Sequence, residues 1–469
     1  MQIQANTFEL TNIPEPHIYE QLPCPQLSQE TIDERLRKIL TLMHSHHLDK
    51  LVIYADKEHG SNFEYLSGFI PRFEEALLVI SDDGTATYIM GNENLKLVPH
   101  ARLKGQCLHA PVFSLPNQPM AHDAPLTDVF KAAGIESHHN VGMVGWKLFS
   151  TETVAQDGQF DVPYFIVFAL KSLIASSQLH NATALFIAPG IGSRTTNNAN
   201  EIAHYEYGAN LASTQVLKAM NAIELGKTEK MVASVLSADG QPNSVVQIAA
   251  TGERFNDAQL YPRDKAIQLG DKFSLTTGYK GGLTSRAAYV VHNASELAPN
   301  IQDYCEVVVK PYYNAVIHWL ENLQLGITGK ELYLLIDAVL PRQKYHWHLN
   351  PGHFVADEEW LSSAISADSE VKLTSGMLLQ IDIIPSVAGY AGASIEDTVA
   401  LADEQLRQAL RQAYPELWAR ISARRDYLCD ILHIHLPECV LPLSNTVGYL
   451  RPYLLNKQMA LTLSNRPVQ

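Results

Sequence analysis

The sequence lacks any apolar run long enough to cross a bilayer as a helix, which takes roughly 18 residues or more. Its best candidate, LFIAPGIG (185–192), is short and broken by Pro189 and two glycines. Basic charge is also scarce. The formal net charge is −15, and no basic stripe offsets it, so general affinity for nucleic acid or an anionic membrane surface is not expected. The opening residues MQIQANTFEL show no basic segment followed by an apolar one, so no signal peptide is expected. Cysteine is sparse: Cys24, Cys107, Cys305, Cys429 and Cys439 are odd in number and widely spaced, without a CxxC or a zinc-like Cys/His spacing. They read as buried thiols in a reducing compartment, which predicts a cytoplasmic protein.

What is present describes a packed globular chain. Apolar residues make up 46% and charged residues 18% of the 469 positions, and that length favours two or three domains over one core. Residues 1–28 are proline-rich and read as an arm. From 29 to 180 helix and strand signals alternate. Ser28 is a helix N-cap, Ile32, Leu36, Leu40 and Met43 form a helical stripe, KLVIYA is a buried strand, and EALLVISDDGTATYIM is a hairpin turned at Asp83-Gly84. The tract HNATALFIAPGIGSRTTNNAN, rich in turn formers, marks the domain boundary. A second domain of long helices and hairpins spans 195–404, and residues 405–469 form a C-terminal extension. The fold class expected is α/β (α+β).

Two phrases of the second domain resemble each other. GDKFSLTTGYKGGLTSRAAYVV (270–291) and SGMLLQIDIIPSVAGYAGASIEDTVAL (375–401) each read as a strand, a glycine-rich turn and a return strand. Gly270 and Gly376 begin the strands, and six residues later stand Thr276 and Asp382. Pairing Val290 with Val399 sets Ala287 in the place of Glu396. Related by a pseudo-twofold axis, the hairpins would turn Thr276, Ala287, Asp382 and Glu396 into one cavity. The second copy is acid-rich; the first, from Thr276 to Val291, holds no carboxylate.

These residues resemble the pita-bread hydrolases, the family of creatinase, prolidase, aminopeptidase P and methionine aminopeptidase. YADKEHGSNFEYLSGFIPRFEEALLVI resembles the creatinase-type N-terminal domain. NEIAHYEYGANLAS, NPGHF, SGMLLQIDIIP and SIEDTVAL resemble successive elements of the pita-bread domain. Metallopeptidases of this fold hold two metal ions with two Asp, one His and two Glu. On this chain the resemblance sets Thr276 in the place of the first Asp. Ala287, or Ser285 with a shorter turn, takes the second. His353 matches the His, Asp382 the first Glu and Glu396 the second. Neutral hydroxyl and methyl groups do not replace anionic ligands, so no two-metal centre and no cofactor are expected. A single divalent ion at His353, Asp382 and Glu396 is the one metal site the carry-over permits. A further family His falls on Trp360, a candidate to cap the pocket, and another falls near Gln259 or Leu260.

The site expected is therefore His353, Asp382 and Glu396 as proton-transfer groups, with Thr276, Tyr279, Arg286 and Trp360 toward the substrate. Arg286 would grip a substrate carboxylate in a forked pair or balance one of the acids. His346 and His348 read as surface residues. The resemblance further implies a homodimer in which His59, Arg72, Glu74 and Glu75 serve the partner's site. Three functions stay open: metal-free hydrolysis of a C–N bond in a small amide, amidino or peptide-like substrate, a silent member binding a small ligand or protein, and a mononuclear metallohydrolase.

Overall fold

The fold, taken from a computed structural model, is described for residues 6–120, 123–149 and 157–464. It has two compact units, one of residues 27–195, the other combining the described residues up to Gln26 with those from Thr196 onward. The tract read as a domain boundary contributes the helix Ala184–Ile187 to the first unit, while the arm and the C-terminal extension are parts of the second.

Strand β1 (Phe8–Asn12) belongs to the second unit. The first unit begins at α1 (Gln29–Ser45), where the Ser28 hydroxyl accepts from the Thr31 amide, satisfying one of the orphan donors of a helix start. Its buried stripe is Ile32, Arg35, Ile39 and Met43, because Arg35 turns inward to donate to the Tyr65 carbonyl in α2 (Ser61–Ser67). The strands β2 (Lys50–Ala55), β3 (Ala76–Ser81), β4 (Ala86–Met90), β5 (Gln106–His109), β6 (Val141–Val144) and β7 (Leu179–Asn181) make one mixed sheet in the order β5-β4-β3-β2-β6-β7. The β3–β4 hairpin turns at Asp83-Gly84, where Gly84 has φ +86° and Asp83 accepts from the Thr85 amide. Val52, Leu77 and Met143 pack one face of the sheet onto α3 (Leu126–Ala132) and α4 (Tyr164–Lys171) through Phe130, Ile166 and Leu170. The remaining helix is α5 (Ala184–Ile187).

The second unit uses one plan twice. Helix α6 (Ala199–Ala222) runs through Leu225-Gly226 into α7 (Glu229–Ala233), capped by Thr228. Helix α8 (Lys310–Asn322) runs through Leu325-Gly326 into α9 (Gly329–Val339), capped by Thr328. Gly226 donates to the Ile267 carbonyl at 2.9 Å and Gly326 to that of Leu373 at 2.8 Å. Three residues on, Gly270 donates to Val290 at 2.9 Å and Gly376 to Leu401 at 2.8 Å. Each copy then lays down a sheet: β8 (Ile248–Thr251), β9 (Lys272–Tyr279) and β10 (Gly282–Tyr289) in the order β10-β9-β8, and β11 (His353–Phe354), β12 (Leu378–Ile381), β13 (Asp397–Leu401) and β14 (Val440–Pro442) in the order β11-β12-β13-β14.

These matched bonds correct the expected correspondence. Val290 is the counterpart of Leu401, not of Val399, so Ser285 rather than Ala287 is the counterpart of Glu396. The reason is that the first hairpin turns tightly between paired Tyr279 and Gly282, whereas the second carries a long loop between its strands.

The glycine-rich turn has a packing role. A Cβ on Gly208 of α6 would lie 1.8 Å from the Lys280 carbonyl, and one on Gly281 2.1 Å from that of Tyr205. Gly281 also has φ +101°, in the region that disfavours other residues. The helix and the turn therefore touch backbone to backbone. The unit closes with α10 (Arg342–Tyr345), α11 (Glu404–Ala413), α12 (Pro415–Asp426) and β15 (Met459–Leu463), which pairs with β1. Buried Glu206 of α6 holds Arg420 and Arg424 of α12, each at 2.7 Å. All five cysteines are free, but only Cys439 is buried and Cys107 is exposed, which corrects the expectation of buried thiols. Gly208→Ala is expected to destabilise the protein by about 1–3 kcal/mol, because overpacking outweighs alanine's better helix propensity. Urea unfolding measures it, and an unchanged or raised midpoint would contradict the backbone contact.

Candidate functional site

The two sheets meet at one antiparallel bridge. Ser285 donates to the Glu396 carbonyl at 3.2 Å, and Glu396 donates back to that of Ser285 at 3.4 Å. Successive strand residues point to opposite faces, so the seam divides its side chains. Thr276, Ser285, Asp382 and Glu396 face a cavity of about 430 Å³. Thr284, Arg286 and Asp397 face the other way, where Arg286 Nη2 lies 2.6 Å from Asp397 Oδ2 and 2.7 Å from the Thr446 carbonyl. Thr284 and Thr446 donate their hydroxyls to the remaining oxygen of Asp397, Oδ1.

The cavity has a neutral half and an acidic half. Thr276 is paired across the hairpin with Ser285 and donates its hydroxyl to the serine oxygen at 3.1 Å. On the other sheet Ile381 pairs with Asp397, which sets Asp382 and Glu396 side by side one position on. His353, fully buried on β11, donates from Nδ1 to the Phe354 carbonyl at 3.0 Å. Its Nε2 is 3.3 Å from Glu359 Oε1 and 4.0 Å from Asp382 Oδ2. Trp360 stacks on the imidazole at 4.2 Å with 24° between planes, and it lines the cavity.

Burial and the neighbouring charges perturb Asp382, Glu396 and His353. Burial pushes the Asp382 carboxyl up; His353 pulls it back and Glu359 raises it again, leaving it at about 6. Glu396 is raised well above the carboxylate range, first by burial and then by the negative charges of Asp382 and Glu359. Burial alone would lower the His353 imidazole, but Glu359 and Asp382 outweigh it and leave it raised. His353 Nε2 and Asp382 Oδ1 are buried without a hydrogen-bond partner among the described residues.

The structure brings together His353, Asp382, Glu396, Thr276 and Trp360. It withdraws two other expected residues. Arg286 is committed to Asp397, and Tyr279 points into the α6 side, packing on Tyr207 and Leu211 and donating to the Leu236 carbonyl at 2.8 Å. His59 and Arg72 belong to the first unit, where His59 stacks on Trp146 and Arg72 lines a groove with Glu74 and Glu75. His346 and His348 are exposed. Glu359 is the residue the sequence hid. It stands in ADEEW, which reads as a charged surface loop, and its one signal is its place six residues after His353.

A two-metal centre does not fit these residues, since two of its anionic positions are held by hydroxyls bonded to each other. One divalent ion does fit. Ligand atoms of His353, Glu359 and Glu396 lie within 4.8 Å of one another, with Glu359 rather than Asp382 as the third donor. Because Asp382 and Glu396 bind protons more tightly in the folded protein, their contribution to stability is complete below about pH 4 and is lost as pH rises, through about 6 for Asp382. Asp382→Asn should therefore raise the Tm more at pH 8 than at pH 4.5. Equal changes in thermal scans at the two pH values would show that no such penalty exists.

The sequence profile of Metallopeptidase family M24 matches residues 203–403. No curated protein matches the chain significantly. Among solved structures, a prolidase from Thermococcus sibiricus superposes with a TM-score of 0.61 at 17% identity, over 81% of this chain and 96% of that one. A prolidase from Pyrococcus horikoshii OT3 gives 0.59 at 20% identity, over 79% and 95%. A Xaa-Pro dipeptidase from Bacillus anthracis gives 0.59 at 16% identity, over 80% and 96%. At such identities the likeness is one of fold, and it extends over both units. No helix among the described residues is long and apolar enough to cross a membrane.

Proposed function

We propose, from the premise that this chain carries a pita-bread domain of metallopeptidase family M24, that it hydrolyses a C–N bond in a small amide, amidine or peptide-like substrate without a two-metal centre. The observation that carries the reading is the pair Asp382 and Glu396, two carboxyls raised to different degrees beside His353 in a cavity of small-molecule size. Environments that push neighbouring acids apart assign them different roles. Near neutral pH Asp382 is largely ionised and takes a proton from water as the water oxygen bonds to the carbonyl carbon. Glu396, still protonated, gives its proton to the leaving nitrogen as the C–N bond breaks. Proton return from Asp382 to Glu396 restores the site, with His353 and Glu359 setting the charge around them. That solved structures of like fold are prolidases and a Xaa-Pro dipeptidase supports a peptide-like substrate.

The second reading is a single divalent ion held by His353, Glu359 and Glu396, favoured by the closeness of their ligand atoms. Such an ion, when bound, supplies Lewis-acid polarisation of a substrate carbonyl. In either case we propose a homodimer in the cytoplasm, with mass by light scattering at twice that of the chain as the check on assembly.

A screen of amides, amidines and dipeptides is expected to find turnover that falls by about 100-fold or more in Glu396→Gln and His353→Ala, with circular dichroism unchanged. Metal content is measured on the same preparation by mass spectrometry. Activity lost on chelation and restored by one equivalent of metal selects the second reading. No turnover across the screen, with or without metal, sinks both and leaves a silent binding protein.

A further inference from the structure

We infer that the cavity selects an organic cation, an ammonium or amidinium group on an apolar stem, and discriminates against molecules with a free carboxylate. The inference rests on the cavity being the substrate site, and it narrows the substrate class of that site. Its first ground is a charge imbalance. Three carboxyls, Glu359, Asp382 and Glu396, line the cavity, and among the described residues no Lys or Arg does. The nearest arginine on these strands, Arg286, is held on the opposite face by Asp397 and the Thr446 carbonyl. A substrate carboxylate would enter as a further negative group with no Lys or Arg to meet it and with the His353 imidazole already facing Glu359 and Asp382, which in a poorly solvated site is strongly unfavourable.

The second ground is independent of charge. Asp382 Oδ1 is buried and has no hydrogen-bond partner among the described residues. A buried acceptor left unmade is costly, and a charged N–H donor is the partner that satisfies it best. Its demand persists even with a divalent ion present, because Asp382 lies outside the set His353, Glu359 and Glu396 whose ligand atoms converge. The walls set the rest of the molecule. Phe255, Leu349, Trp360 and Ile384 line the same cavity, and Leu349, Trp360 and Ile384 are more than a third exposed. They offer an apolar surface and, in Trp360, a ring able to attract a cation. A cavity of about 430 Å³ holds a small molecule rather than a polymer.

Binding is measured by calorimetry at pH 8 on chelator-treated protein, using butylguanidinium against its neutral isostere butylurea, and leucinamide against leucine. The cation and the amide are each expected to bind at least about tenfold more tightly than their counterparts. The preference should survive saturating Mn²⁺ and disappear in Asp382→Asn. Should that variant fail to fold, Glu359→Gln, on a partly exposed loop, is expected to reduce the preference. Equal affinities within each pair, a preference abolished by Mn²⁺, or one unchanged in both variants would each overturn the inference. Cation preference without turnover removes the hydrolase reading and leaves this one standing. Turnover of neutral or anionic substrates without the preference does the reverse.

Discussion

Two backbone hydrogen bonds between Ser285 and Glu396 hold the rest of the second unit to one arrangement. They join β10, the edge strand of one sheet, to the residue that leads into β13 of the other, and in doing so fix which side chains face the cavity and which face the interior. On the interior side the joint is reinforced by Arg286 and Asp397, both essentially inaccessible. A buried ion pair is stabilising only when its remaining hydrogen-bonding capacity is met. Here most of it is met: Thr284 and Thr446 donate to Asp397, and the Thr446 and Ser285 carbonyls accept from the guanidinium, with Arg286 Nε left without a partner among the described residues. The same pairing has an electrostatic consequence on the other face. It commits Arg286 to the other face, and the acids of the cavity face one another and His353 without it.

The duplicated plan explains why an acid-free hairpin persists. Its Gly281 touches the backbone of α6, its Ser285 makes the sheet-to-sheet bridge, and its Arg286 anchors Asp397. None of these duties needs a carboxylate in the cavity. Thr276 and Ser285 satisfy each other, so the neutral half of the cavity carries no demand for a cation. The acidic half holds Asp382, Glu396 and Glu359, and it is there that the proposed positive group would sit. The asymmetry between the copies is thus the property from which the chemistry is argued.

Much of this was legible in the residues. The capped α1, the Asp83-Gly84 hairpin, the paired hairpins of the second unit and the family they resemble all follow from local patterns whose physics is short-range. The choice between Ala287 and Ser285 was not, because pairing Val290 with Val399 favours the first, a shorter turn favours the second, and residue likeness does not weigh a tight turn against a long loop. Glu359 was hidden for a different reason: a carboxylate among carboxylates in ADEEW carries no periodicity, and only the return of that loop onto His353 gives it a role. Arg286 is the instructive error. Once Thr276 faces the cavity, its cross-strand partner Ser285 must as well, and alternation then sends Arg286 to the far side.

The C-terminal extension, which lies beyond the part matched by the family profile, belongs to the site in a physical sense. Strand β14 continues the sheet of β12 and β13, and the loop after it places Thr446 against the Arg286–Asp397 pair, giving one an acceptor and the other a donor. Without Thr446, the guanidinium and the carboxylate would each lose a buried partner, the circumstance in which such pairs become a liability. Arg424 holds this loop in place through Asn445 and is itself held by Glu206 of α6. A chain of hydrogen-bonded buried polar groups therefore runs from the extension through α6 to the seam. Glu396 of the cavity sits one residue away from that chain, on the opposite face of the same strand.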